Sequence, residues 1–412
     1  MRKIVHLTTD HNIARAVTWP RLLIFLIALS LAGCGQQDKS DSAAGAGGAD
    51  KTGQDCQITM NIAPWTAFAD MTNRMAAGQE VPRAELEAYC ELPAVTAWRQ
   101  SQAPNVPRVV NMVNWIEGAW WDELGKTGKR KLNSNRVALG REYRYSQANG
   151  AEIDAMLAEL ATEARLCEIR NLADRWLSPG KVPTPLVLNF LPAMAEVRIF
   201  ENEFIIDTGV LRAGGVDQTV QQIVTLLYRN LEAVPGDSPI EVDGEQAVAE
   251  CLRVMMNEGV AGWIEQTTAI HFDRNHPSLY KVQIIPEDFF RKAQETAGNF
   301  ERILPSLLAD PAVMSAQGLS FARTLTGNNA FSQTGIAMAT VITARLGEER
   351  LLAVRHSVPA FFAAYQEAAL LNNNPAPEPG TAGIELYESV PALSAAVYEP
   401  LLELLKRQFP VS

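Results

Sequence analysis

From residue 56 onward the apolar positions recur mostly at helical spacing. Residues 65–75 and 83–90 read as two helices joined by a turn over 78–82, where Gly78 and Pro82 break the pattern. Ile153, Met156, Leu157, Leu160 and Ala161 share one face, which predicts a helix over 153–166. Asp217 can cap a helix running to about Leu231, with Val220, Ile223, Val224, Leu227 and Leu231 along its inner side. A further helix is expected from Glu245 to about Gln266. Between these blocks the period changes: 186–190, 195–200 and 204–206 read as short strands, separated by Pro192 and a polar turn at 201–203. Helical patterns then resume to the C-terminus, interrupted by an Asn-, Pro- and Gly-rich loop at 372–383. The pattern predicts an α+β fold, predominantly helical, with a small central sheet.

Two segments before residue 56 follow other rules. Residues 1–33 combine Arg2, Lys3, Arg15 and Arg21 with an apolar run over 22–31 and small residues ahead of Cys34. This is the charged, apolar and small-residue order of an export signal. The apolar run is about half the ~20 residues that a membrane-spanning helix needs. Residues 35–54 contain no large apolar side chain, so burial there cannot offset the entropy of ordering. They are expected to form a flexible tether with a mean reach on the order of 25 Å. Leu31-Ala32-Gly33-Cys34 resembles the lipobox of bacterial lipoproteins, in which the cysteine is acylated and becomes the new N-terminus. The resemblance implies lipid attachment at Cys34. Gly35, standing where an Asp favours the inner membrane, implies the outer membrane as the destination. The expected organisation is a signal over 1–33, a lipidated cysteine and tether over 34–55, and one mainly helical domain over 56–412.

Charge and cysteine usage narrow the function. Removal of residues 1–33 takes four Lys/Arg and one Asp from totals of 36 and 47, which leaves a formal charge of −14. Such a chain is a poor partner for nucleic acid or anionic lipid, so the acyl chains must supply the membrane attachment. Cys56, Cys90, Cys167 and Cys251 remain, with no C-x-x-C. Export permits disulfides, but the spacing selects no pairing. Cys56–Cys90, flanking one short helical segment, is preferred, with buried free thiols as the alternative.

Asn257-Glu258-Gly259-Val260-Ala261 lies on the helix expected from Glu245. A small sheet ending in Phe204-Ile205-Ile206-Asp207, then a helix, then a helix bearing E-G-[IV]-A resembles the zinc-dependent peptidases of the gluzincin type. More closely, it resembles a bacterial family of secreted and lipoprotein members of that type. Trp65-Thr66-Ala67-Phe68-Ala69 is similar to that family's N-terminal helical unit. Gly335-Ile336-Ala337-Met338-Ala339 and Phe361-Phe362-x-x-Tyr365 are similar to its C-terminal patterns. The resemblance implies a small sheet packed against gluzincin-like helices. It also implies an H-E-x-x-H whose histidines bind zinc and whose glutamate activates water, with the Glu of the next helix as third ligand. Here Leu226 and Asn230 stand at the histidine positions and Leu227 at the general base; Glu258 alone is kept. Leucine offers zinc no lone pair and accepts no proton from water. Leu226, Leu227, Asn230 and Glu258 are therefore expected to form a degenerate former active site without metal, cofactor or catalytic residue. Leu227 should face the second helix near Glu258 in a dry pocket.

Other chemistry is sparse. His271 and His276 read as loop histidines, a loop metal site with Asp273 being the weaker reading, and His356 reads as a helix-end residue. Residues 125–129 (GKTGK) lack the spacing of a phosphate loop, and no G-x-S-x-G elbow is present. Trp115, Trp120 and Trp121 suit a core better than a groove. The expectation is a lipid-anchored envelope protein with a peptidase-like fold and a binding or assembly role, with a peptide or protein ligand in the former cleft. The rivals are a hydrolase with an unrecognised site near Glu258 and a solute-binding lipoprotein; the latter is disfavoured because no succession of βαβ units is visible.

Overall fold

A computed structural model describes residues 56–101, 134–193, 197–200, 203–232, 242, 244–265, 286–327, 330–371 and 391–410. The signal segment, Cys34, the tether, residues 125–129, the three tryptophans, His271, His276 and the 372–383 loop lie outside them.

The sheet contains β1 (Ile58–Asn61), β2 (Leu186–Leu191), β3 (Val197–Phe200) and β4 (Glu203–Asp207) in the order β1-β2-β4-β3. β1, β2 and β4 run parallel, and β3 pairs antiparallel with β4. β2 is buried at every position but Val187, as a central strand flanked by helices should be. Its one buried polar side chain, Asn189, is satisfied: Asn61 Nδ2 donates to its Oδ1 at 2.9 Å, and its own Nδ2 donates to Glu203 Oε2 at 2.7 Å.

The first helices are α1 (Ala63–Ala76), α2 (Arg83–Cys90), α3 (Pro93–Ser101), α4 (Ser134–Ala148), α5 (Gly150–Leu160) and α6 (Glu163–Trp176). They cover the sheet around an aromatic nucleus in which Phe68 lies 5.9 Å from Trp65 and 4.9 Å from Tyr143, ring centre to ring centre. The helix expected over 153–166 is two helices. Thr162 adopts an extended conformation, and its carbonyl accepts the Leu166 N–H as the first bond of α6. The expected Cys56–Cys90 pair is also corrected. Cys56 is bonded to Cys167, with Cα atoms 5.2 Å apart, while Cys90 is free and buried. β1, which the sequence pattern did not announce, causes this: pairing with β2 carries Cys56 alongside α6, and α6 contacts β1.

α7 (Thr208–Leu231) begins earlier than the Asp217 cap implied. Asp207, at the end of β4 and almost fully buried, accepts the backbone N–H groups of Gly209, Val210 and Ala193 and so ties the strand to the helix start. Gly215, at φ 83°, kinks the helix, and Asp217 beyond it is exposed and pairs with Arg165 at 2.7 Å. The rest of the described chain is α8 (Gly244–Ile264), α9 (Pro286–Ala309), α10 (Pro311–Gly327), α11 (Ala330–Leu346), α12 (Glu348–Val354), α13 (Val358–Leu371) and α14 (Ala395–Gln408). α8 sits at the centre, packed against α7, α10, α11, α13 and α14. The fold is α+β and predominantly helical, and the buried apolar residues form one cluster from Ile58 to Leu405. No helix of the described residues is long and apolar enough to cross a membrane.

Candidate functional site

The helix pair α7–α8 carries the four positions singled out by sequence. Gln218, Thr225 and Arg229 form a stripe on α7 at helical spacing and meet α8 directly. Gln218 Nε2 donates to the Glu265 carbonyl at 2.9 Å, and Thr225 Oγ1 donates to the Ala261 carbonyl at 3.4 Å. Arg229 Nη2 donates to Glu258 Oε2 at 3.1 Å, while Nη1 lies 3.8 Å from Glu265 Oε2. Both carboxylates are about four-fifths shielded from water, at 19% and 20% side-chain exposure. One guanidinium thus serves two acids, at a place where the resemblance puts a divalent cation.

None of the other three positions supplies a donor to this group. Leu226 and Leu227 are buried in the core, Leu227 completely. Asn230 is exposed, and its Nδ2 donates back to the Leu226 carbonyl at 2.8 Å. The side chain that meets Glu258 from α7 is therefore Arg229, where Leu227 was expected. Arg229 is three residues after Leu226, so helix geometry puts it beside the position of the first histidine of H-E-x-x-H. The sequence signal was a basic residue beside that position, opposite a lone carboxylate; the motif treats the place of Arg229 as free. Among the described residues, no three His, Cys, Asp or Glu side chains converge as a metal site.

Gly259 and Gly335 have a different task. A Cβ on Gly259 would lie 2.3 Å from the Gly335 carbonyl oxygen, and a Cβ on Gly335 would lie 2.0 Å from that of Met255. No side chain fits at either place. The two glycines let the backbones of α8 and α11 touch, which fixes the helix that bears Glu258. Gly318 approaches Gly244 in the same way between α10 and α8, with 2.5 Å from its Cβ position to the carbonyl oxygen.

A family model matches the chain over this part of the molecule. Residues 241–374 match the model of the family described as "Putative zinc dependent peptidase (DUF5700)". The matched stretch runs from the start of α8 to the end of α13 and contains Glu258, Gly259 and Gly335; residues 226–230 precede it. No curated protein and no solved structure matches the chain. The family description implies zinc, and the donor set among the described residues does not fit it. At the positions where the resemblance places the motif stand two leucines and a back-bonded Asn, and Glu258 is held by a guanidinium.

Proposed function

We propose that this is a lipid-anchored protein of the bacterial envelope, placed at the outer membrane, whose peptidase-like helices serve binding or assembly and not zinc catalysis. The observation that carries the reading is the Arg229–Glu258 ion pair beside Leu226 and Leu227. It puts a fixed positive charge against the carboxylate that the resemblance makes a zinc ligand, and Leu227, at the expected general-base position, cannot take a proton from water. The lipobox-like Leu31-Ala32-Gly33-Cys34 and the acidic mature chain support an anchor made by acyl chains.

Two measurements test the two halves of this reading. Cys34→Ser should abolish incorporation of labelled fatty acid in cells, and continued labelling of that variant would refute the anchor. Full-length protein supplied with zinc should cleave casein no faster than the Glu258→Gln variant. Proteolysis that disappears with Glu258→Gln would refute the non-catalytic role.

A further inference from the structure

A cleft of about 450 Å³ lies beside the α7–α8 pair. Its walls come from the end of α7 (Tyr228, Glu232), the middle of α8 (Arg253, Asn257) and the α12–α13 junction (Arg355, His356). Three features make it more than a gap in packing. Arg355 is held rigidly: its Nε donates to the Trp176 carbonyl at 2.9 Å and its Nη1 to the Leu352 carbonyl. Among the described residues its Nη2 finds no acceptor, and no carboxylate comes within ion-pair reach of it. Asn257 is 93% buried, since only 7% of it is exposed, yet its amide has no protein partner. Asn257 lines the cleft, so its amide is open to whatever the cleft holds. Finally, the 14-residue helix α13 begins at the cleft, where the Ser357 hydroxyl accepts the Ala360 N–H at 3.4 Å. The positive end of its dipole adds to the charge of Arg355.

The other charged groups of the cleft are already engaged. Arg253 is paired with Glu250, Nε to Oε2 at 2.8 Å. Glu232 accepts the Ser178 N–H, and its second oxygen lies 3.7 Å from His356 Nδ1. Tyr228 donates its hydroxyl to the Arg355 carbonyl at 3.3 Å. Arg355 Nη2, held in place by its neighbours, and the Asn257 amide thus face the cleft without a protein partner.

We propose that this cleft binds a carboxylate-bearing ligand, with Arg355 and Asn257 donating to the carboxylate. A planar carboxylate matches the guanidinium edge, and the volume suits a small molecule or the end of a chain, not a folded partner. Met256, Val358, Phe409 and Pro410 provide an apolar wall for whatever carries the acid group. The proposal deepens the binding role given above but uses residues other than Arg229 and Glu258, so the two can fail separately.

The test is calorimetric titration of the full chain with N-acetyl-trialanine, with its C-terminal amide, and with succinate. The free acid should bind at least about tenfold more tightly than the amide, as expected when a charge-assisted bond is lost. Succinate binding as tightly as the peptide acid would identify a small dicarboxylate as the ligand class. Tighter binding of the peptide would identify a chain terminus, and either result supports the site. Arg355 also anchors two carbonyls, so the decisive variant is the near-isosteric Asn257→Asp, which should abolish binding while the melting transition persists. Equal affinity for acid and amide, no binding of any carboxylate, or unchanged binding in Asn257→Asp would each overturn the proposal.

Discussion

Arg229 sits between two acids on the neighbouring helix, and its removal should be felt through them. Arg229→Met deprives Glu258 and Glu265 of the cation they share, in a groove where both are about four-fifths shielded. The loss should be about 1–2 kcal/mol at neutral pH, held to that size by the exposure of the arginine itself. Combining it with Glu258→Gln should restore part of that loss; chemical denaturation of the three variants measures both numbers. At this scale the sequence named the positions of the expected motif more readily than the residue that meets Glu258. Leu226, Leu227, Asn230 and Glu258 could be named because a ligand motif specifies residue types at fixed spacings. Arg229 occupies a position that the motif leaves open, and only the helical period reveals that it lies beside the first ligand position. Asn257 and Arg355 belong to helices distant in the chain, and no local pattern joins them.

Between elements, the closest approach is the crossing of α8 and α11. Gly335→Ala would drive a methyl group into the Met255 carbonyl, and backbone cannot yield as a side-chain tip can. The expected cost is about 3 kcal/mol or more. Gly298 offers the opposite case. It lies exposed in α9 with nothing within 4 Å of its Cβ position, so Gly298→Ala should stabilise by about 0.5–1 kcal/mol. Melting curves of the pair separate a glycine needed for contact from one that is only tolerated. Most helices and the strands β2, β3 and β4 were legible because periodicity reports burial, and burial is what these elements share. Three boundaries were not. β1 has only four residues and takes its identity from pairing with β2, far along the chain. α7 starts directly after Asp207 because that carboxylate is buried among backbone donors, a tertiary fact. The break between α5 and α6 needs only Thr162 to turn extended, which the apolar spacing around it does not disclose.

Over the whole molecule, the Cys56–Cys167 bond joins β1 to α6 across a sequence separation of 111. Closing so large a loop restricts the unfolded chain, and reduction should cost about 3–4 kcal/mol. The remaining thiols should behave differently. Burial pushes Cys90 up to about 11 and Cys251 up to about 12, so neither offers a reactive thiolate near neutral pH. Alkylation of the native, oxidised protein should therefore label neither, and both should label after denaturation. Mass spectrometry counts the adducts, and rapid native labelling would show that these sites open to solvent.

The same frame holds the pair that decides the account, with α8 fixed by its glycine contacts and α7 by the Asp207 cap. If Arg229 has taken the place of a metal, the full chain purified without chelator should contain far less than one zinc per molecule. Glu258→Gln should not change that content. Elemental analysis of both proteins by mass spectrometry is the most direct test. One zinc per chain in the natural protein, lost in Glu258→Gln, would contradict the replacement of metal by guanidinium.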